Sequence, residues 1–485
     1  MSPTVIKDVP KQLFIAGAWQ DAESGRTLAV DDPATGEELC LVADASPADG
    51  RRAAEAAVAA QPGWAATAPR VRSEILRRAY DIIVSRTEEL ALLMTLEMGK
   101  PLDQARGEVA YAAEFFRWFS EEAVRVDGGM TTAPDGKNRL MVLRQPVGPC
   151  LLITPWNFPL AMGTRKIGPA VAAGCTMVLK PAPQTPLSTL ALAAILTEAG
   201  LPDGVLNVVV TSDAAGVVEP LLRGGQIRKL SFTGSTQVGK ILLAQCADTV
   251  VRASMELGGN APVIVFADAD LDIAVEGTMQ AKMRNMGEAC TAANRIFVHS
   301  SLAEEFAARL AGRMQALTVG VGTEPGVDVG PLIDDTGRGK VHQLVLDAVR
   351  HGAKLVTGGE LPDGPGCFYP PTVLTGITAG AAIARTEIFG PVAALRTFDD
   401  EDEVVAAANA TDWGLVGYVF TRDLDRALRV SERLESGMVG LNTGVVSNPA
   451  APFGGVKQSG LGREGGRAGM DGFLEYKYIA IPTGN

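Results

Sequence analysis

Four short segments carry residue types that could act together on a carbonyl carbon. Cys290 lies in Arg284-Asn-Met-Gly-Glu-Ala-Cys290, where a helical pattern ends near Gly287 and leaves the thiol in a turn before a strand. A thiol so placed is a candidate nucleophile. The other five cysteines (40, 150, 175, 246 and 367) mostly sit among apolar neighbours and read as core residues. Read alone, Cys290 suits packing as well as chemistry. Glu256 precedes Leu257-Gly258-Gly259-Asn260, where the glycines allow close approach of a chain or ligand. It reads either as a site carboxylate or as a solvated strand end. Asn157 stands between two prolines in Pro155-Trp156-Asn157-Phe158-Pro159, in a rigid loop just past a strand. Its amide could donate to a developing oxyanion, or simply close a turn.

The fourth segment, Gly234-Ser235-Thr-Gln-Val-Gly239-Lys240, falls between a strand and a helix. It misses a P-loop because Ile241 occupies the position of the magnesium-binding hydroxyl. What remains is a helix N-terminus with small residues, which suits a pyrophosphate or a plain turn. Gly460 to Gly465 spells GxGxxG, but it follows FGGVKQS and so lacks the preceding apolar strand. Only three histidines occur, His299, His342 and His351, with no HExxH among them. That argues against histidine-based metal catalysis, and no metal is expected.

These segments must be positioned by a large α/β framework. The 485 residues call for two or three packed domains. From Cys150 the chain alternates strand and helix: LLIT, TMVLK, VLNVVV and KLSFTG are strands separated by helical stretches. This rhythm predicts a parallel sheet covered on both faces, with ligands at the strand carboxyl ends. A second alternation follows Gly258-Gly259, with APVIVF, RIFVH, AALRTF and YVF as strands and a helix over 271–286. A Gly/Thr/Pro-rich break covers 127–137, followed by a strand over 139–144.

Composition narrows the function classes. Apolar residues make up 47% and the net charge is −12, which suits a globular protein and disfavours nucleic acid and anionic membranes. The opening residues, MSPTVIKDVPKQLF, lack the apolar core of a signal peptide, and sparse cysteines without CxxC fit a reducing cytoplasm.

PWNFP, FTGST, ELGGN and the Gly-x-x-Cys segment, in this order, resemble the aldehyde dehydrogenase superfamily, and EIFGP (387–391) and PFGGVKQSG (452–460) extend the resemblance over the whole chain. The resemblance implies an α/β fold with a Rossmann-like cofactor domain (1–126 and 144–257) and an α/β catalytic domain (258–438). It further implies a small β oligomerisation flap (127–143 and 470–485) and a homodimer or homotetramer. It casts Cys290 as nucleophile, Asn157 as oxyanion donor and Glu256 as the base that activates water. Lys166 and Glu464 would form a proton relay. Thr154, Pro155, Trp156, Lys180, Pro183, Gly234, Ser235, Leu257, Glu387 and Phe389 would bind NAD or NADP, with Glu387 on the nicotinamide ribose, Lys180 on the adenosine ribose and Ser235 on the pyrophosphate.

In detail the chain is most similar to succinate-semialdehyde dehydrogenases. That implies a clamp for the distal carboxylate of the substrate, made by Arg165, Arg284 and Ser447. Two guanidiniums and a hydroxyl suit a carboxylate; the competing reading is structural ion pairs. Glutarate or 2-oxoglutarate semialdehyde, a general aldehyde, or a non-catalytic binding role are the alternatives. Pro183 stands where many NAD-preferring relatives carry Glu, which favours NADP. Glu288 replaces a common Gln and would either raise the thiol pKa or point to solvent. Ala292 replaces a cysteine that forms a regulatory disulfide in some relatives.

Overall fold

A computed structural model describes residues 4–483. Two doubly wound sheets dominate it. The first has eight strands in the spatial order Ala18–Gln20, Leu13–Ile15, Leu206–Val208, Met177–Lys180, Cys150–Ile153, Lys229–Thr233, Arg252–Glu256, Gly460–Leu461. The five from Leu206–Val208 to Arg252–Glu256 are mutually parallel. The four from Leu206–Val208 to Lys229–Thr233 are buried throughout, and Leu206–Val208, Met177–Lys180 and Cys150–Ile153 are correspondingly apolar. The chain winds outward from Cys150–Ile153 to Leu206–Val208, then returns to Lys229–Thr233 on the other side. The order therefore reverses between Cys150–Ile153 and Lys229–Thr233, where a crevice opens past the carboxyl ends.

Helix Pro159–Ala173 packs on this sheet and is buried along its whole length. Its small residues make that possible: a Cβ on Gly163 would come within 2.9 Å of Leu192, and one on Gly168 within 2.9 Å of Phe119. Charged residues in such a helix need partners inside the protein.

The second sheet has seven strands, in the order Lys354–Thr357, Thr372–Thr375, Val392–Phe398, Ala293–His299, Ala261–Val265, Val416–Phe420, Met438–Leu441. Its last strand ends at Leu441. A third, antiparallel sheet pairs Leu474–Pro482 with Asn138–Pro146 and that strand with Gly129–Thr132. Pairing runs as far as Pro146, which lies opposite Leu474. Tyr476, Tyr478 and Met130 on this sheet are exposed. Residues 1–3, 484 and 485 of the expected ranges lie outside the described residues.

The helix expected over 271–286 stops at Met283. Arg284 turns extended (ψ 125°), and Asn285, Met286 and Gly287 take left-handed φ of 54°, 54° and 79°. This reversal aims the chain at Cys290. Gly460–Leu461 is an antiparallel edge strand on Arg252–Glu256, not a phosphate loop.

Candidate active site

Loops past the carboxyl ends of the first sheet meet loops that enter the amino ends of second-sheet strands. Between them lies a cavity of about 290 Å³. Asn157, Glu256, Cys290, Arg165, Arg284 and Ser447 all line it. So do Pro155, Trp156, Gly234, Ser235, Leu257, Glu387 and Phe389. Lys166 and Glu464 lie behind this wall, and Thr154, Lys180 and Pro183 lie at neighbouring strand ends, outside the cavity lining.

The two glycines after Glu256 are required by close approach. A Cβ on Gly259 would sit 2.8 Å from the Cys290 carbonyl oxygen, and one on Gly258 2.8 Å from Glu387 Oε2. The Gly259 N–H donates to Glu387 Oε1 at 3.1 Å. Leu-Gly-Gly thus brings the nucleophile turn and Glu387 against the same backbone. Around Cys290, the Ala292 N–H closes a turn on the Ala289 carbonyl at 2.9 Å.

Asn157 donates one amide hydrogen to the Glu288 carbonyl at 3.0 Å. The Asn285 amide bridges the carbonyls of Asn157 and Glu288, at 3.0 Å each. One hydrogen fixes the Asn157 amide and the other stays available to an oxyanion. Two residues missed by sequence reasoning hold this loop. Lys100 donates to the Asn157 carbonyl at 2.8 Å and pairs with Glu108 at 2.5 Å. Glu108 Oε1 accepts from the N–H groups of Leu160 and Ala161, at 3.0 and 3.1 Å, and so caps the buried helix. Gly99, with φ of 90°, turns the chain that delivers Lys100. The available signal was a lone Lys-Pro after an apolar helix, with nothing local to link it to Asn157.

Burial pushes the Cys290 thiol up to about 12; Arg165 opposes this while Glu387 and Glu256 reinforce it. Burial, reinforced by Glu464, also raises Glu256 well above the ordinary carboxylate range. Glu256 Oε2 has no protein partner. Behind it, Glu464 binds Arg165 Nε and Lys166 Nζ, each at 2.5 Å. Burial alone would raise Glu464, but Lys166 and Arg165 outweigh it and keep this carboxylate ionised.

The two arginines of the expected clamp therefore differ. Arg165 already shares its charge with Glu464 and stacks 3.8 Å from the Phe453 ring. It forms the structural ion pair that competed with the clamp reading, because a guanidinium in a fully buried helix requires a counter-charge. Arg284 has no carboxylate partner among the described residues and donates to Ser447 Oγ at 3.1 Å. It lies over the rings of Phe158 and Tyr111, at 5.0 and 5.4 Å. Glu288 follows neither of its expected courses. It is buried, accepts from the Ile333 N–H at 3.1 Å, and is raised far above its ordinary range by desolvation. The carboxyl therefore does not reach solvent, and it is not among the main charges acting on the thiol.

The residues fit a dinucleotide. Thr154 and Thr233, at the two strand ends flanking the reversal, have buried hydroxyls without protein partners. Ser235 caps helix Thr236–Ala247, whose N-terminus faces the same crevice. Lys180 reaches only the Pro181 carbonyl, at 3.1 Å, and burial pushes it down to about 8. Phe389, at a left-handed φ of 58°, meets Trp156 edge to face at 5.4 Å.

Comparison with known proteins agrees with this geometry. The model of the aldehyde dehydrogenase family matches residues 19–479. The chain is 60% identical over 443 residues to a succinate-semialdehyde dehydrogenase of Paenarthrobacter nicotinovorans, covering 91% of this chain and 98% of the relative. It is 50% identical over 471 residues to a glutarate-semialdehyde dehydrogenase of Pseudomonas putida, covering 97% and 98%. A crystal structure described as an E. coli NADP dependent enzyme superposes with a TM-score of 0.97 at 48% identity, covering 98% of each chain. With a free thiol, a buried carboxylate and an anchored amide converging on one dinucleotide crevice, the chain belongs to the aldehyde dehydrogenase family.

Proposed function

We propose that this protein oxidises succinate semialdehyde to succinate, with NADP⁺ preferred over NAD⁺. The observation that carries the substrate is Arg284: a cation without a carboxylate partner, paired with Ser447, lining the cavity that holds Cys290. A second carboxylate on the aldehyde supplies the missing counter-charge. Pro183 carries the cofactor reading, since no carboxylate stands there to repel a 2′-phosphate. Glutarate semialdehyde is the second reading, supported by the Pseudomonas putida relative.

Cys290 loses its proton and its sulfur bonds to the aldehyde carbon, forming a thiohemiacetal. That proton is released to solvent, and Glu256, raised by burial, is kept as the base for the second step. The Asn157 amide holds the oxyanion, a donor contributing on the order of 3 kcal/mol. When bound, the nicotinamide cofactor supplies the acceptor for the hydride that leaves this carbon. The product on Cys290 is a thioester. Glu256 then deprotonates a water that attacks it, and the carbon–sulfur bond breaks to release succinate. Lys166 and Glu464 carry the proton from Glu256 onward. The exposed three-stranded sheet suits assembly into a homodimer or homotetramer, and a reducing cytoplasm suits the free thiol.

The test is an absorbance assay for reduced nicotinamide, with succinate semialdehyde, glutarate semialdehyde and butanal against both cofactors. Succinate semialdehyde with NADP⁺ should give the highest kcat/KM. No reduction with any aldehyde would refute the reading, and a large NAD⁺ preference would refute its cofactor.

A further inference from the structure

Lys282 is fully buried near the end of helix Leu271–Met283, and the chemistry above makes no use of it. Its ammonium donates to the Gly390 carbonyl at 3.3 Å. An ammonium carries three donors, so burial with one long acceptor disfavours its charged form. Burial pushes Lys282 down to about 7, with Glu387 opposing. Burial likewise pushes Glu387 up to about 7, opposed by the Gly259 N–H, Lys340 and Lys282.

The positions of the two lysines differ. Lys340 lines the cavity, whereas Lys282 approaches the 387–391 loop from the protein interior. That loop crosses the nucleophile loop at close range: a Cβ on Gly287 would come within 2.2 Å of the Gly390 carbonyl oxygen. The crossing fixes Glu387 relative to Cys290, and Lys282 donates to the carbonyl at its centre.

We propose that Lys282 is a positioning residue for cofactor binding: its ammonium pins the Gly390 carbonyl, so that the 387–391 loop presents Glu387 to ribose hydroxyls. This rests on the reading of Glu387 as a nicotinamide-ribose contact.

Three variants test it: Lys282→Met, Glu387→Gln and the pair combined. The readouts are NADP⁺ affinity by calorimetry, KM for each substrate, and the rate of Cys290 alkylation. Lys282→Met should weaken NADP⁺ binding about tenfold, the loss of one charge-assisted contact. The KM for succinate semialdehyde and the alkylation rate should stay within about twofold. Added to Glu387→Gln, it should cause little further loss, because both act through one contact. Unchanged NADP⁺ affinity in Lys282→Met, or full additivity in the double variant, would overturn the proposal. Wild-type affinity in Glu387→Gln would instead defeat the ribose reading itself. If Lys282→Met does not fold, Lys282→Gln, which keeps a donor but not the charge, carries the same comparisons.

Discussion

Arg165 and Arg284 line the same cavity, yet among the described residues only Arg165 has a carboxylate partner. Arg165 belongs to a closed cluster in which Glu464 binds both it and Lys166. Arg284 faces the cavity with a serine and two aromatic rings as its neighbours. A buried cation with a carboxylate partner holds structure together, whereas one left without a partner beside a nucleophile is poised for an anionic ligand. The closed cluster also does something for the chemistry. Its net effect reaches Glu256, which Glu464 raises and Arg165 and Lys166 lower.

The largest effect should come from the base beside the cluster. Glu256→Gln should slow steady-state turnover by about 10² to 10⁴-fold. Rapid mixing should still show a burst of reduced nicotinamide, as the thioester forms and waits for water. A variant without a burst would place Glu256 in the first step instead.

Glu464→Gln opens the closed cluster. It leaves two buried cations without their counter-charge, so denaturant unfolding should show a loss of about 3–5 kcal/mol. It should also lower the Glu256 pKa, because the carboxylate that raises it is gone and the opposing cations remain. The acid limb of the rate profile, where Glu256 ionises, should then move to lower pH. A limb that stays in place would show that the two carboxylates are not coupled.

Glu288→Gln should have the smallest effect. Glu288 is buried with its carboxyl held by the Ile333 N–H, and it is not among the main charges acting on the thiol. The midpoint of Cys290 alkylation against pH should not move. A shift toward lower pH would mean that Glu288 is ionised and felt by the sulfur.

Much of this site was legible in the sequence, for identifiable reasons. Proline-flanked Asn157, Gly-Gly after Glu256, and the helix-capping Ser235 are local signals, and each lands on the same cavity. The parallel sheet follows from the strand–helix rhythm, whereas the reversal between Cys150–Ile153 and Lys229–Thr233 is seen only in the strand order. What was illegible is non-local. Glu464 reaches Arg165 across 299 residues, so that pairing could not be read from spacing. Lys100 holds Asn157 from 57 residues away, and Lys282 is an ordinary helical lysine until its burial is known. The end of helix Leu271–Met283 was placed too late because Asn285 and Met286 adopt left-handed backbone that residue type does not announce. Glu288 was read as a surface or active-site charge, since sequence gives no sign that its carboxyl is buried against the Ile333 N–H.

The central claim is that Arg284 binds the substrate's second carboxylate, and the ratio of kcat/KM for succinate semialdehyde to that for butanal measures it directly. In Arg284→Ala that ratio should fall by about 10 to 100-fold, through a raised KM for the semialdehyde and little change for butanal. Equal losses on the two aldehydes would contradict the account.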